Sequence, residues 1–499
     1  MSGSARLPLS YWGLVLTYLA VAVNLSVTSV ALPSIASDLD ATTAQLSWIF
    51  NVTPLVSAGL MLFAGAWGDR FGRRRLLVIG LLVFLASSLL SATATDANLL
   101  IAYRALTGAG SALAMPAALA LTFDVVPEQS RRTAVGILAT TQAAGSLIGP
   151  VLAGTAMAAW SWPAVFLSVV PFIGLALLGA LRLPKDSTHT SHPMDSRGAS
   201  LAAIASVLLV YAATALSIRQ VAPAVLALGV VAVAVLLLVR HERRTPHPLF
   251  NPAVLRQRPF RLATTIVLGS QIVLGGLIFV ITQYLQLVLG YSPFTAGMML
   301  IPCLASWVLA SSTSGRTSQL LGVRRVVSLG LGLGALGLLL LALQGTASRP
   351  AMLIFGLFLT GLMAVGPALM TTVALTCYSA AERTVGAATN GAAARFGFSF
   401  GIAIMGGALG AIYASLVSGA TSGLEPAEVT EVEGGLAGAL KVAASVPDGT
   451  ALADSARAAF TTAYSASLII GAIVAAAMAL LVAVVRVSEG VEDARDGGP

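Results

Sequence analysis

The sequence predicts an all-α polytopic membrane protein. Only 10% of its 499 residues are charged, 57% are hydrophobic and the mean hydropathy is +0.90, whereas an ordinary soluble domain has about 25% charged residues. The hydrophobic residues form segments of about 18 to 30 residues, the length at which a helix crosses about 30 Å of hydrocarbon. A soluble fold of this length has too little interior for so much apolar surface, so we expect a lipid bilayer around the chain.

Fourteen apolar segments have the length and hydropathy of membrane spans. They lie at about 12–33, 46–68, 76–94, 99–123, 134–158, 162–181, 199–218, 222–240, 262–288, 295–314, 326–345, 350–377, 385–416 and 461–485. An even number of spans places both termini on the same side of the membrane.

The distribution of Lys and Arg supports this count independently, because short cytoplasmic loops retain positive charge. If the N-terminus is cytoplasmic, 22 of the 28 basic residues fall in cytoplasmic segments and only Arg219, Arg349, Lys441 and Arg457 in external ones. A missed span would reverse the side of every later loop. We therefore predict a multi-pass protein of the cell membrane with both termini cytoplasmic, and we attribute the net charge of +8 to topology rather than to nucleic-acid binding.

The spans predict a division into segments. These are a cytoplasmic N-tail (1–11), a six-helix half (12–181), a linker with two extra helices (182–261), a second six-helix half (262–485) and a cytoplasmic C-tail (486–499). An external stretch at 417–460 interrupts the second half. Its composition is compatible with a short amphipathic hairpin on the outer surface and equally with a mobile, solvated loop.

A polar loop follows the second span, with Gly65, Asp69, Arg70, Gly72 and Arg73 at fixed spacing. A plain positive cluster requires neither the acid nor the glycines. The pattern resembles Gly-x-x-x-Asp-Arg-x-Gly-Arg-Arg, the signature loop of the major facilitator superfamily. That resemblance implies two related bundles of six helices and a cytoplasmic gate, in which a carboxylate among guanidinium groups forms charge-assisted hydrogen bonds.

Weak internal repeats agree with two related halves. Gly322 and Arg324 after the tenth span echo the signature loop, and residues 130–136 are mirrored by 381–386. The resemblance implies parallel halves with a midplane site between them. The seventh and eighth spans are then an extra central pair, which gives fourteen helices in all.

The fifth span carries Gly145, Gly149, Pro150 and Gly154 on one helix face. Small residues four apart are a common packing face in membrane helices. With the Gly-Pro step, the segment resembles the antiporter signature Gly-x-x-x-Gly-Pro-x-x-Gly-Gly, although Ala153 replaces one glycine. The resemblance implies export rather than uptake.

Two arginines lie inside predicted spans, Arg104 in the fourth and Arg395 in the thirteenth. A guanidinium at membrane depth costs at least a few kcal/mol unless it faces a cavity or a partner. Both positions resemble arginines of fourteen-span drug exporters, and the first implies a role in proton coupling. The structural alternative is pairing with backbone carbonyls.

The first span ends in residues 24–33, similar to the signature Asp-x-Thr-x-x-Asn-x-Ala-Leu-Pro of fourteen-span drug:proton antiporters. Asn24 stands where that family has its embedded aspartate, and Asn does not titrate. No acidic residue lies in a span interior; Asp124 comes nearest, at the end of the fourth span. We place Asn24, Arg104, Asp124 and Arg395 in the proton or substrate pathway, and we expect a neutral or anionic substrate.

The resemblance implies a proton-coupled exporter of a small amphipathic compound such as an antibiotic, drug or toxic metabolite, working as a monomer. The alternatives are a transporter of the same fold for a lipid or primary metabolite, or one without proton coupling because of Asn24. We find no catalytic constellation, cofactor motif or metal-ligand cluster in the sequence, and we expect neither an enzyme nor a resident cofactor or metal.

Overall fold

A computed structural model describes most of the chain. The described residues are 8–127, 130–184, 221–242, 257–346, 349–376, 383–446 and 449–484, with isolated positions between 197 and 245. Within them every regular element is a helix.

Seven helices form the first half of the bundle. They are α1 (Leu9–Asp38), α2 (Thr43–Phe71), α3 (Arg73–Ser91), α4 (Ala97–Val125), α5 (Arg131–Ala159), α6 (Pro163–Leu167) and α7 (Val170–Leu181). Asp96 caps α4, since its carboxylate accepts hydrogen bonds from the backbone amides of Asn98 and Leu99. Helices α6 and α7 follow one another within the sixth predicted span.

One helix of the central pair lies in the described part of the chain, α8 (Val221–Glu242). The second half consists of α9 (Arg258–Gln283), α10 (Pro293–Leu321), α11 (Val323–Ala342), α12 (Pro350–Gly361), α13 (Val365–Thr376), α14 (Arg383–Gly401), α15 (Gly407–Val417), α16 (Pro426–Gly434), α17 (Leu436–Ala443) and α18 (Gly449–Val484). Single π-helical turns follow α9 at Tyr284–Val288 and α14 at Ile402–Gly406.

Two equivalent turns relate the halves. Gly72 joins α2 to α3 with a φ of 97°, and Gly322 joins α10 to α11 with a φ of 81°. Residues with a side chain rarely adopt a positive φ, so each turn favours glycine. Arginines open the following helix in both cases, and the weak repeat in the sequence therefore corresponds to a repeated structural element.

Most buried apolar side chains of the described helices form one continuous hydrophobic core that includes both halves, and a small second cluster lies around Ala310 and Val326. In the first half α4 packs on α2 and α3, and α1 packs on α5. In the second half α9 packs on α14, and α11 on α18. Contacts of α5 with α10 and of α2 with α14 join the halves.

Most of the predicted spans coincide in position with helices of the structure. Eleven helices of the described part are long and apolar enough to cross a membrane. The 29-residue helices α2 and α5 lie where the second and fifth spans are predicted. The seventh predicted span, 199–218, falls mostly outside the described residues. The helical membrane-spanning fold is thus confirmed, while the number fourteen stays a prediction.

The segment at 417–460 contains α16, α17 and the start of α18. Of the two alternatives for this stretch, the structure shows the short helical hairpin. We call Pro426–Ala443 the hairpin, and the end of the bundle where it lies the hairpin end. We call the opposite end, where α3 begins and α4 finishes, the basic end.

Candidate functional site

Arg104 of α4 is fully buried at the centre of the first half. Its Nη1 donates a 2.7 Å hydrogen bond to Oδ1 of Asn24 on α1. Its Nε lies 3.5 Å from the carbonyl oxygen of Ile49 on α2, and the guanidinium carbon lies 5.5 Å from the centre of the Phe166 ring. The guanidinium therefore meets an amide, a carbonyl and an aromatic face rather than a carboxylate.

Close backbone packing fixes the position of Arg104. Thr53 of α2 donates a 2.9 Å hydrogen bond to the backbone carbonyl of Arg104. One turn further along α4, a Cβ placed on Gly108 would lie 2.6 Å from the carbonyl oxygen of Thr53. Only a residue without a side chain allows α4 to approach α2 so closely. The arginine thus projects from a rigid helix pair towards α1.

The site around Arg104 has more hydrogen-bond donors than acceptors. Arg104 Nη2 and Asn24 Nδ2 are both buried and have no hydrogen-bond partner among the described residues. Arg104 is also the one charged residue among the buried side chains described, and no buried Asp or Glu accompanies it. A buried charge without a counter-charge costs several kcal/mol, so the site favours a negative or hydrogen-bond-accepting group.

Arg395 of α14 provides a second positive charge. Its Nη2 lies 2.6 Å from the sulfur of Met115 on α4, across the boundary between the halves. A thioether is a weak acceptor and carries no charge. Met115 follows Arg104 by eleven residues, which corresponds to about 16 Å along the helix axis. The two guanidinium groups therefore lie at different depths of the bundle, one inside the first half and one between the halves.

The signature loop spans the turn between α2 and α3 at the basic end. The surroundings of Gly65 and the side chains of Asp69 and Arg70 are outside the part of the structure that is described. Arg73 is described, and its Nη1 lies 3.0 and 3.1 Å from the two carboxylate oxygens of Asp124, both side chains being partly exposed.

Asp124 lies apart from the buried residues of the predicted pathway. The sequence suggested the proton or substrate pathway, because Asp124 is the acid nearest to a span interior. The structure places it at the basic end of α4, half exposed and bound to Arg73, because α4 continues to Val125 before it stops. Asp124 is thus an ion-pair partner of the signature loop through Arg73, and its place in the pathway stays a prediction.

The next arginine anchors the same loop to another helix. Arg74 donates hydrogen bonds from Nε and Nη2 to the carbonyl oxygens of Ala180 and Leu181, at 3.2 and 2.7 Å. These are terminal carbonyls of α7, which favour a cation. The turn after α2 is therefore attached to the ends of both α4 and α7.

The glycines of α5 face a helix of the same half. A Cβ on Gly145 would lie 2.7 Å from the Cβ of Ala22, and a Cβ on Gly149 would overlap Oγ of Ser26. Both neighbours belong to α1. The motif thus allows α5 and α1 to pack almost backbone to backbone.

The remainder of the motif faces the other half. A Cβ on Gly297 of α10 would lie 2.6 Å from the carbonyl oxygen of Pro150, and Gly154 is in close contact with the backbone of Phe294. Helix α5 therefore lies between α1 and α10. A side chain added at Gly145 or Gly149 disturbs the contact with α1, and one added at Gly154 disturbs the contact between the halves.

Aromatic rings close the bundle towards the hairpin end. Phe50 of α2 stacks on Phe279 of α9 with ring centres 6.3 Å apart, and meets Phe398 of α14 edge to face at 5.8 Å. Gln286 also donates a 2.9 Å hydrogen bond to the carbonyl of Val30 across the same boundary. Sequence analysis missed this layer, because a phenylalanine in an apolar span gives no signal of the partner it meets.

Comparison with known proteins identifies the family. The model of the Major Facilitator Superfamily matches residues 14–311. The chain belongs to the major facilitator superfamily. It is accordingly a multi-pass membrane transporter rather than an enzyme.

Several curated members of the superfamily resemble this chain over most of their length. The multidrug efflux pump LfrA of Mycolicibacterium smegmatis is 33% identical over 94% of this chain and 94% of LfrA. The methyl viologen resistance protein SmvA of Salmonella typhimurium is 30% identical over 91% and 93%. The lincomycin resistance protein of Streptomyces lincolnensis is 32% identical over 77% and 81%.

A solved structure of another transporter agrees with the superfamily fold. A bacterial homologue of the human lysosomal transporter Spinster, in an inward-facing and unoccupied conformation, has a TM-score of 0.71 at 17% identity, over 96% of this chain and 98% of that chain. At this identity the likeness concerns the fold alone. It supports the division into two halves on which the cross-boundary contacts described above depend.

Proposed function

We propose that this chain is a secondary exporter that moves small amphipathic compounds, such as antibiotics, drugs or toxic metabolites, out of the cell by alternating access. Relatives that match most of this chain are named as multidrug efflux or antibiotic resistance proteins. The Gly-Pro motif of α5 lies at the contact between the halves, where a transporter of this architecture has to move. Both observations support export.

The preferred substrates are neutral or anionic. The observation that carries this proposal is the Arg104–Asn24 contact, because it leaves a buried guanidinium without a carboxylate and with an unused donor. Arg395 adds a second positive group beside Met115. At 4 Å and an effective dielectric of 20, two like unit charges repel by about 4 kcal/mol, so a cation near either guanidinium binds poorly.

The relative SmvA bears the name of methyl viologen, a dication. The charge of methyl viologen is the opposite of that of the neutral or anionic substrates proposed here. A pump for dications has to neutralise two positive charges in a low-dielectric cavity, and the described part of this chain has no buried acid with which to do so.

The energy source is the proton gradient, as in the antiporter family that the motifs resemble. Asn24 favours a second candidate, in which transport is not coupled to protons at this position, because an amide does not titrate. A lipid or primary metabolite as substrate is the remaining alternative. We further propose that the basic end is cytoplasmic, with both termini on that side, and that the protein works as a monomer.

Two experiments test these proposals. In a sensitive host, expression of the chain should protect against uncharged and acidic antibiotics and protect little against ethidium or dequalinium. Strong protection against the dication dequalinium contradicts the proposed substrate class. In everted vesicles with an imposed pH gradient, collapse of the gradient should stop uptake of a transported compound, and unchanged uptake contradicts proton coupling.

A further inference from the structure

The hairpin contacts a turn that belongs to the other half of the molecule. It lies in the second half, between α15 and α18, whereas the turn between α1 and α2 belongs to the first half. Thr43 at the start of α2 donates a 2.8 Å hydrogen bond from Oγ1 to the carbonyl of Gly434. The contact thus crosses the boundary at the hairpin end.

An ion cluster crosses the same boundary. Nζ of Lys441 on α17 lies 2.5 Å from Oδ1 of Asp40 in the α1–α2 turn and 3.4 Å from Oε1 of Glu431 on α16. Asp40 has a φ of 48°, and it is the one residue other than glycine with a positive φ in the described chain. This backbone conformation is unfavourable for most side chains, and here it directs the carboxylate to the hairpin.

Buried apolar side chains anchor the hairpin beneath this cluster. Val432, Leu436 and Ala439 are at most 1% exposed, and the hydroxyl of Tyr413 on α15 donates a 3.1 Å hydrogen bond to the carbonyl of Val432. The hairpin is therefore firmly attached to its own half. Its link to the other half is mainly polar and solvent-accessible, which suits a contact that forms and breaks.

A pocket lies below the cluster and contains residues of both halves, among them Leu46 of α2, Gln283 of α9 and Lys441. The aromatic contact between Phe50 and Phe279 lies further in, since Phe50 follows Thr43 by seven residues, about 10 Å along α2. The ion cluster is thus the outermost of the layers that close this end.

We propose that the hairpin is a latch on the closed hairpin end, in which Lys441 holds the α1–α2 turn through Asp40 and has to release it before that end opens. The latch rests on the proposed alternating-access function for its purpose. Its existence concerns conformation only, and it is tested without any substrate.

Solution conditions distinguish this latch from a purely apolar contact. Asp40 and Glu431 raise the pKa of Lys441 above its ordinary value, so the ammonium stays charged throughout the neutral range. Exposed ion pairs are weakened by salt. We expect the hairpin end to loosen with increasing ionic strength and to respond little to pH between 6 and 8.

The test measures how often the hairpin end opens. Leu46 is 2% exposed and lies below the latch, so Leu46→Cys in a background with Cys303→Ser and Cys377→Ser reports opening through its rate of maleimide labelling. The full-length protein is used in nanodiscs, where both faces are accessible and the orientation in the cell does not matter. We expect Lys441→Glu to raise the labelling rate about two- to five-fold, the upper part of the range for loss of an exposed ion pair.

Two further variants make the result specific. Asp40→Asn keeps a residue type that tolerates a positive φ and removes the carboxylate, so Lys441→Glu should raise the rate much less in an Asp40→Asn background than in the parent. Arg457→Gln removes an ion pair with Asp454 inside α18, at the same end but within one helix, and should leave the rate unchanged.

Two outcomes overturn the proposal. One is a labelling rate in Lys441→Glu equal to that in Arg457→Gln, and the other is an increase by Lys441→Glu that is as large in the Asp40→Asn background as in the parent. If Lys441→Glu does not give a monodisperse protein, Lys441→Gln and Lys441→Arg replace it. The first should label faster than the second, and equal rates again contradict the latch.

Discussion

Arg104 and Asn24 form a buried hydrogen bond of 2.7 Å between α4 and α1, with the guanidinium as donor and the amide oxygen as acceptor. The bond satisfies one guanidinium nitrogen and neutralises none of the charge. It also fixes the amide so that Nδ2 faces away from the guanidinium and has no partner among the described residues. The charge and the unused donors of this pair are what distinguish the site chemically.

Asn24→Asp should shift the substrate profile towards cations. A carboxylate at this position forms an ion pair with Arg104, and the net charge of the site falls from positive to zero. We expect resistance to ethidium to rise, and resistance to acidic compounds to fall, by about ten-fold, which corresponds to about 1.4 kcal/mol. Growth-inhibition assays in a sensitive host measure both, and an unchanged profile shows that this site does not select substrate charge.

Asn24→Leu should destabilise the protein without shifting the substrate profile towards cations. The substitution removes the acceptor and leaves Nη1 of Arg104 buried and unsatisfied, at a cost of about 1–3 kcal/mol. Thermal unfolding of the purified protein measures the loss. Because this variant disturbs the same position without adding charge, it is the matched control for Asn24→Asp. A cation preference in both variants contradicts the electrostatic argument.

Arg395→Gln should reduce the efflux of acidic compounds more than that of uncharged ones. The amide keeps a hydrogen-bond donor beside Met115 and removes the positive charge between the halves. We expect about a ten-fold loss of resistance for the acidic compounds. Arg349→Gln removes an exposed charge before α12 and serves as the comparison. Equal losses for acidic and uncharged compounds show that Arg395 does not select charge.

Asp124→Asn should slow transport with little effect on stability. The pair with Arg73 is partly exposed, and such pairs contribute only about 0.2–1 kcal/mol. The contact of Asp124 with Arg73 of the signature loop nevertheless links α4 to the turn that forms the predicted cytoplasmic gate. Efflux rate and thermal stability are measured together, with Asp454→Asn as the control for an exposed acid in an ion pair elsewhere. Normal efflux by Asp124→Asn removes this residue from the gate.

Gly149→Leu should abolish efflux, whereas Gly174→Leu should be tolerated. Any side chain at Gly149 overlaps Ser26 and separates α5 from α1. Gly174 of α7 has no atom within 4 Å of the place where a Cβ would lie. Both variants add the same apolar side chain to a membrane helix, so efflux compared at equal membrane levels isolates the close packing. Efflux by Gly149→Leu at the level of Gly174→Leu contradicts the role of this contact.

Sequence reasoning found what depends on local pattern. Hydropathy located the helices, glycine spacing identified the turn at Gly72 and the close face of α5, and the cost of a charge in lipid singled out Arg104. Contacts between distant segments were beyond it. The partner of Arg73 is 51 residues away, and that of Lys441 is 401 residues away. Local periodicity contains no information on such pairs, which depend on how the two halves meet.

The amide at position 24 also has a genetic consequence. Codons for asparagine and aspartate differ only in their first base, so a single transition supplies the carboxylate that the site lacks. A population that carries this gene and grows in the presence of a toxic cation therefore has an available step towards resistance. We expect such a selection to recover Asn24→Asp among its first variants, accompanied by reduced protection against acidic antibiotics.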